Sequence, residues 1–247
     1  MALELDAVCF DANDPLRLAR FWAGVLDWEL VDAGQRDPLD GISLLPSDDT
    51  GFRLRFRPTA EPKSVPNQLH FDLTSASRAD QERTVARSLA LGARHIDVGQ
   101  LPEEGHVVLA DPEGNEFCVI EPGNGFLADC GFLGAVACDG SQEVGYFWSR
   151  ALSWPLVWDQ DQETAIRSPH GGPKITWGGP PLRPKTEKRR LHFDVAPSAD
   201  GDQQREVDRL LSLGATPIDI SRGDVSRVVL ADPDGNEFCV LDPGRQA

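Results

Sequence analysis

The apolar residues at the start of the chain keep two rhythms in turn. Residues 3–11 are a run of β-type positions; beyond Asn13-Asp14-Pro15, Leu18, Phe21, Trp22 and Val25 fall at i, i+3, i+4 and i+7. The run predicts a strand and the second spacing one face of a helix, with Asp14 as N-cap and Pro15 at its first position. Residues 28–31, 42–45 and 52–57 read as three more strands between polar turns, which completes a βαβββ unit. After the loop 58–66 the order returns. A strand is predicted at 68–74, then a helix opened by Ser77 and Asp80, with Val85, Leu89 and Leu91 as its apolar side and Gly92 as its stop. Strands follow at 95–98, 106–110 and 116–121.

The whole pattern then occurs again. Leu109-Ala-Asp-Pro-Glu-Gly-Asn-Glu-Phe-Cys-Val-Ile-Glu-Pro-Gly123 returns at Leu230–Gly244, with only conservative changes at Glu113/Asp234, Ile120/Leu241 and Glu121/Asp242. Phe147-Trp148 answers Phe21-Trp22, and Leu191-His192-Phe193-Asp194 answers Leu69-His70-Phe71-Asp72. A duplication this clear fixes the organisation: four βαβββ units in two halves, 1–125 and 126–247, joined by a short glycine-containing link. Asp111/Asp232 and Gly114/Gly235 are expected to serve the hairpin turn in each copy, and the Phe-Trp pairs to be core.

Composition narrows the function. The formal charge of −16 argues against nucleic acid and would favour a cationic ligand. The basic run 185–190 is too isolated to change that. Five cysteines without a CxxC pair argue against a disulfide framework and a zinc ribbon. With no long apolar run and no basic-then-apolar start, neither membrane insertion nor secretion is expected, so the chain is read as cytoplasmic. The expected partner is a small-molecule ligand, with the protein a monomer or homodimer.

The succession Asp-Pro-x-x-x-x-Ala-x-Phe-Trp, Leu-His-Phe-Asp and Asp-Pro-(Glu/Asp)-Gly-Asn-Glu-Phe-Cys-Val resembles the glyoxalase/bleomycin-resistance family, within the vicinal oxygen chelate superfamily. The resemblance covers both halves. It implies an α+β fold of two tandem glyoxalase-like domains. Each is a pair of βαβββ units forming a half-open, curved eight-stranded sheet with helices on the convex face and the site on the concave one. It also implies small-molecule binding or sequestration, or an isomerase, dioxygenase or transferase activity; fold alone does not choose.

Metal-dependent members place four ligands on the concave face, and this chain departs from that set. The first-strand ligand falls on Ala7 and Ala135, the fifth-strand histidine on His70 and His192, and the eighth-strand acid on Cys118 and Cys239; the fourth strand offers no acid. No cofactor is therefore expected. Should a divalent metal bind, its fallback ligands are His70, Glu116 and Cys118, with His192, Glu237 and Cys239 in the second half. Strand alternation adds that Arg53, Arg55 and Arg57 face away from Leu54 and Phe56. The first cleft is accordingly read as Arg55, His70, Asp72, Glu116 and Cys118, and the second as Lys174, Thr176, His192, Asp194, Glu237 and Cys239. The leading expectation is metal-independent binding of a cationic or amphipathic ligand. The alternatives are an enzyme with His70 or His192 as general base, a thiolate–imidazole pair, and a metalloenzyme with a His/Glu/Cys set. Trp154, Trp158 and Trp177 could line a pocket or fill an interface, and His95, His106 and His170 carry no motif.

Overall fold

The computed structural model describes residues 3–32, 41–48, 50–101, 103–182, 189–218 and 227–243. Its elements follow the four repeats. The first unit is β1 (Leu3–Ala12), α1 (Pro15–Leu26), β2 (Glu29–Asp32), β3 (Ile42–Leu45) and β4 (Arg53–Pro58). The second is β5 (Leu69–Leu73), α2 (Arg78–Ala90), β6 (Arg94–His95), β7 (Val107–Ala110) and β8 (Glu116–Val119). The third is β9 (Leu133–Cys138), α3 (Gln142–Leu152), β10 (Leu156–Gln160), β11 (Glu163–Ser168) and β12 (Gly171–Trp177). The fourth is β13 (Leu191–Pro197), α4 (Gln203–Ser212), β14 (Thr216–Pro217), β15 (Arg227–Ala231) and β16 (Glu237–Leu241).

These strands form two eight-stranded mixed sheets, as the α+β reading requires. Each sheet joins units from different halves of the sequence. Sheet I runs β14-β15-β16-β13-β1-β4-β3-β2 and pairs the fourth unit with the first; sheet II runs β10-β11-β12-β9-β5-β8-β7-β6 and pairs the third with the second. The seams are the antiparallel ladders β1–β13 and β5–β9. Units of the same half are tied instead through the convex side. The Trp22 ring meets Phe71 and Phe117 edge-on at 5.2 and 5.1 Å, and Trp148 meets Phe193 and Phe238 at 5.2 and 5.0 Å. Such pairs each add about 0.5–1.5 kcal/mol beyond their burial.

The repeated Asp-Pro-x-Gly-Asn turn is part of that tie. Asp111 caps its own hairpin, accepting from the backbone N–H groups of Glu113 and Asn115, and its other oxygen accepts from the Trp22 indole at 3.2 Å. Asp232 and Trp148 repeat the bond. Gly114 and Gly235 hold φ near +85, the left-handed region glycine tolerates best (φ 87 and 84). Next to Asp111, the Glu113 carboxylate accepts from the N–H groups of Asn13 and Asp14 at the start of α1. The turn thus does more than reverse the chain: it pins the helix of one unit to the hairpin of the next.

Helix α1 buries Leu18, Phe21, Trp22 and Val25, as its spacing predicts, and Asp14 caps it. Helix α2 departs from expectation. It buries Gln81, Thr84 and Ser88, while Leu89 and Leu91 are exposed and Val85 is only partly covered. The Gln81 amide explains the choice, since it donates to the carbonyls of both Gly105 and Val119 and satisfies strand-end groups that an aliphatic side chain would leave bare. The predicted strand 95–98 is cut to Arg94–His95, with Val98 exposed. Trp177 is core, Trp154 packs against the core's edge, and Trp158 stands on Phe126. Residues 185–188 of the basic run lie outside the described residues.

Candidate functional site: two clefts of unlike chemistry

Because the sheets are built across the halves, each concave face combines residues the linear order keeps apart. On sheet I, β1, β4, β13 and β16 bring Cys9, Arg53, Arg55, Arg57, His192, Asp194 and Cys239 to one face, with Cys9 opposite Arg55 in one ladder and opposite His192 in the other. A bulge at Asp6, between the pairs Leu5–Val195 and Ala7–Asp194, turns that carboxylate towards the arginines. Asp194 is wholly buried and accepts from Arg55 at 2.6 Å and Arg57 at 2.7 Å, both on Oδ2. Asp6 accepts from Arg55 at 2.7 Å and lies 3.4 Å from Arg53. Oδ1 of Asp194, left over by the arginines, faces Nε2 of His192 at 3.5 Å.

Burial alone would raise the Asp194 carboxyl, but Arg57, His192 and Arg55 outweigh it and hold the group well below its usual range. Burial likewise opposes charge on His192, yet Cys239, Asp194 and Cys9 around it raise the imidazole well above its ordinary value. The Cys9 thiol is pushed up, first by burial and then by Asp194. Arg57 carries a further feature: Nε and Nη1 are buried and have no hydrogen-bond partner among the described residues.

Sheet II carries the counterpart of this face with most of the charge removed. His70, Asp72 and Cys118 stand where His192, Asp194 and Cys239 do. Across the seam Ala137 replaces Cys9, and Lys174 and Thr176 replace Arg53 and Arg55. The bulge residue is Gly134 instead of Asp6. A Cβ on Gly134 would come 3.1 Å from Leu127, in the link between the halves. Leu127 joins Cys118, Ala135 and Val108 in one apolar cluster with Phe126 at its edge, so the chain's own link fills part of this cleft. Lys174 donates to the Phe126 carbonyl and its ammonium lies 4.3 Å from that ring's centre. His70 stands 3.4 Å from Asp72; burial opposes its charge, but the bonds and charges of Asp72 and Cys118 raise it to about 10.

The structure therefore regroups the predicted residues. Arg55 belongs with His192 and Asp194, not with His70, and Lys174 and Thr176 belong with His70, not with His192. The reason is the cross-half pairing of the seams. Glu116 is held at the start of β8 by Lys63 at 2.7 Å and the Asn67 N–H, and Glu237 sits at the start of β16 beside Gln68 and Asp232. Among the described residues, the groups close enough to share an ion are Cys9, His192 and Asp194, and His70, Asp72 and Cys118. Neither includes the expected glutamates, and Cys239 is not in the first. Cys9, Asp6 and Arg57 were not among the expected site residues. Alternation would have placed Cys9 and Arg57 on the cleft face; the bulge that turns Asp6 inward leaves no mark in the sequence.

A model of the glyoxalase-like domain matches residues 7–120 and again 135–241. Glyoxalase I from Zea mays superposes with a TM-score of 0.65 at 13% identity, over 98% of this chain and 93% of that one. A putative dioxygenase from Bacillus subtilis superposes with a TM-score of 0.60 at 15% identity, over 98% and 86%. At such identities the likeness is one of fold. Among curated proteins, none matches the chain. No helix among the described residues is long and apolar enough to cross a membrane.

Proposed function

The chain belongs to the glyoxalase-like domain family, and from that footing we propose that it binds a small molecule in the cleft of sheet I without the help of a metal ion. The observation that carries the reading is the locked Asp194, buried between Arg55, Arg57 and His192. Metal-dependent folds of this kind need a set of free donors. Here the first-strand position is Ala7, the fourth strand offers guanidiniums, and the Cys9 thiol is held protonated by burial. The one carboxylate near His192 is already neutralised by two arginines. A divalent cation there would face fixed positive charge, so these residues do not fit it. The guanidiniums supply a permanent positive field in its place.

A second reading, that the site is catalytic, is favoured by His192. Its raised pKa keeps the ring protonated at neutral pH, so its role would be a proton donor to an oxygen of the ligand and not the general base. The same holds for His70. Since sheet II carries fewer charges and part of the link, sheet I is the cleft proposed to work.

The test is a nuclear magnetic resonance screen of a small-molecule library with backbone assignments. Ligands should move the signals of Arg55, His192 and Cys239 and leave those of His70 and Lys174. Ligands that map to His70 and Lys174 instead would overturn the assignment.

A further inference from the structure

Resting on the reading that the sheet I cleft binds a small molecule, we propose that its ligand is an organic carboxylate with an apolar body, seated head-first on Arg57. The argument starts from donors left without acceptors. An arginine carries five N–H hydrogens, of which Nε holds one and Nη1 two. Both nitrogens of Arg57 are buried and unpartnered among the described residues, although Nη2 is bonded to Asp194 at 2.7 Å. Leaving buried charged donors unmade is costly, and native interiors rarely do it without a reason. The two nitrogens donate towards opposite edges of the guanidinium, and a negatively charged oxygen satisfies the edge it reaches; a cation satisfies neither.

The charge around Arg57 points the same way. Three guanidiniums, Arg53, Arg55 and Arg57, lie side by side on β4 and share the carboxylates of Asp6 and Asp194, with Asp11 opposite Arg57 in the ladder. On a chain that is acidic as a whole, this row of guanidiniums is a place where an anion can be held. Beside these charges lies an apolar strip. Ala196, Cys239 and Leu241 form a buried cluster with Val229 on the same side of β13, β15 and β16 as His192. Phosphate would find the donors but nothing for that wall. A carboxylate with a short hydrocarbon tail uses both, the head on Arg57 and His192 and the tail along Leu241 and Val229. Sheet II has no equivalent: Gly178 follows Thr176 where Arg57 follows Arg55, and the link lies over the cleft.

Hexanoate, with hexanamide and inorganic phosphate as controls, tests this on the whole protein. The readout is the arginine side-chain Nε–H resonances, with that of Arg57 assigned from Arg57→Lys. Hexanoate should shift the Arg57 signal saturably, hexanamide should not, and phosphate should act at least tenfold more weakly than hexanoate. Because Arg57→Met removes a partner of Asp194 and could unsettle the fold, the wild-type spectrum carries the test. Leu241→Asp, which leaves the arginines intact, should weaken hexanoate and spare phosphate. If hexanamide moves the backbone signals of His192 and Cys239 as strongly as hexanoate does while Arg57 stays still, the carboxylate inference falls and the binding reading stands. If neither compound moves any signal in the cleft, the carboxylate inference falls, and the library screen decides the binding reading.

Discussion

Asp194 and Asp72 occupy equivalent places in the repeat, and the structure gives them very different weights. Replacing each with asparagine keeps the shape and removes the charge. In sheet I the change strips Arg57 of the carboxylate bonded to its Nη2 and leaves Arg55 with Asp6 among the described residues, all in a site where Asp194 itself is fully buried. Removing one member of a buried ion pair costs about 3–5 kcal/mol, because the other charge stays desolvated. In sheet II the partner is His70, whose side chain is 38% exposed, so solvent screens the pair and the loss should stay within about 1 kcal/mol. At roughly 2–4 °C per kcal/mol for a chain of this size, Asp194→Asn should lower Tm by roughly 6–20 °C and Asp72→Asn by no more than about 4 °C. Thermal and urea unfolding at pH 7 measure both. The acid limb provides a second check. Asp194 titrates below its ordinary range, so the stability it contributes is complete above the unfolded value of about 3.9 and is lost as pH falls through the folded one. Wild type and Asp194→Asn should therefore converge in acid. Equal losses for the two variants at pH 7 would refute the claim that sheet I holds the built cluster.

Three further outcomes follow from single contacts. The His70 ring should titrate above its ordinary value by proton resonance; its stabilising contribution, full below about 6.5, should fade as pH rises through the folded midpoint, and Asp72→Asn should bring that midpoint back down. Gly145→Ala should cost about 1–3 kcal/mol in urea unfolding, since the added Cβ would lie 1.9 Å from Thr164 Oγ1 where α3 crosses β11. Iodoacetamide on the native protein should label Cys130 and Cys138 well before Cys9, which is fully buried with its thiol pushed up.

The four units, the Phe-Trp helices and the Asp-Pro-x-Gly-Asn turns were legible in the sequence because each rests on local spacing. The choice of sheet partner was not. β5 and β13 carry nearly the same pattern, Leu-His-Phe-Asp followed by an aliphatic residue, so nothing local decides which of them lies beside β1. That choice is made by the packing of whole units, and it determines that Arg55 meets Asp194 instead of Asp72. Two other features escaped for related reasons. The face of α2 is fixed by a buried hydrogen-bonding need at Gln81, which a hydrophobic count cannot register. Asp6 enters the cleft through a bulge, and one inserted residue reverses the side a strand position faces.

The central claim is that fixed guanidiniums stand in sheet I where a chelated ion would otherwise act. Elemental analysis of protein purified without chelators or nickel resin, before and after dialysis against zinc, iron, nickel and manganese, tests it most directly. The account predicts well under one ion per chain in every case, and the same value for His192→Ala. About one ion per chain, lost with His192→Ala or Cys9→Ser, would contradict it.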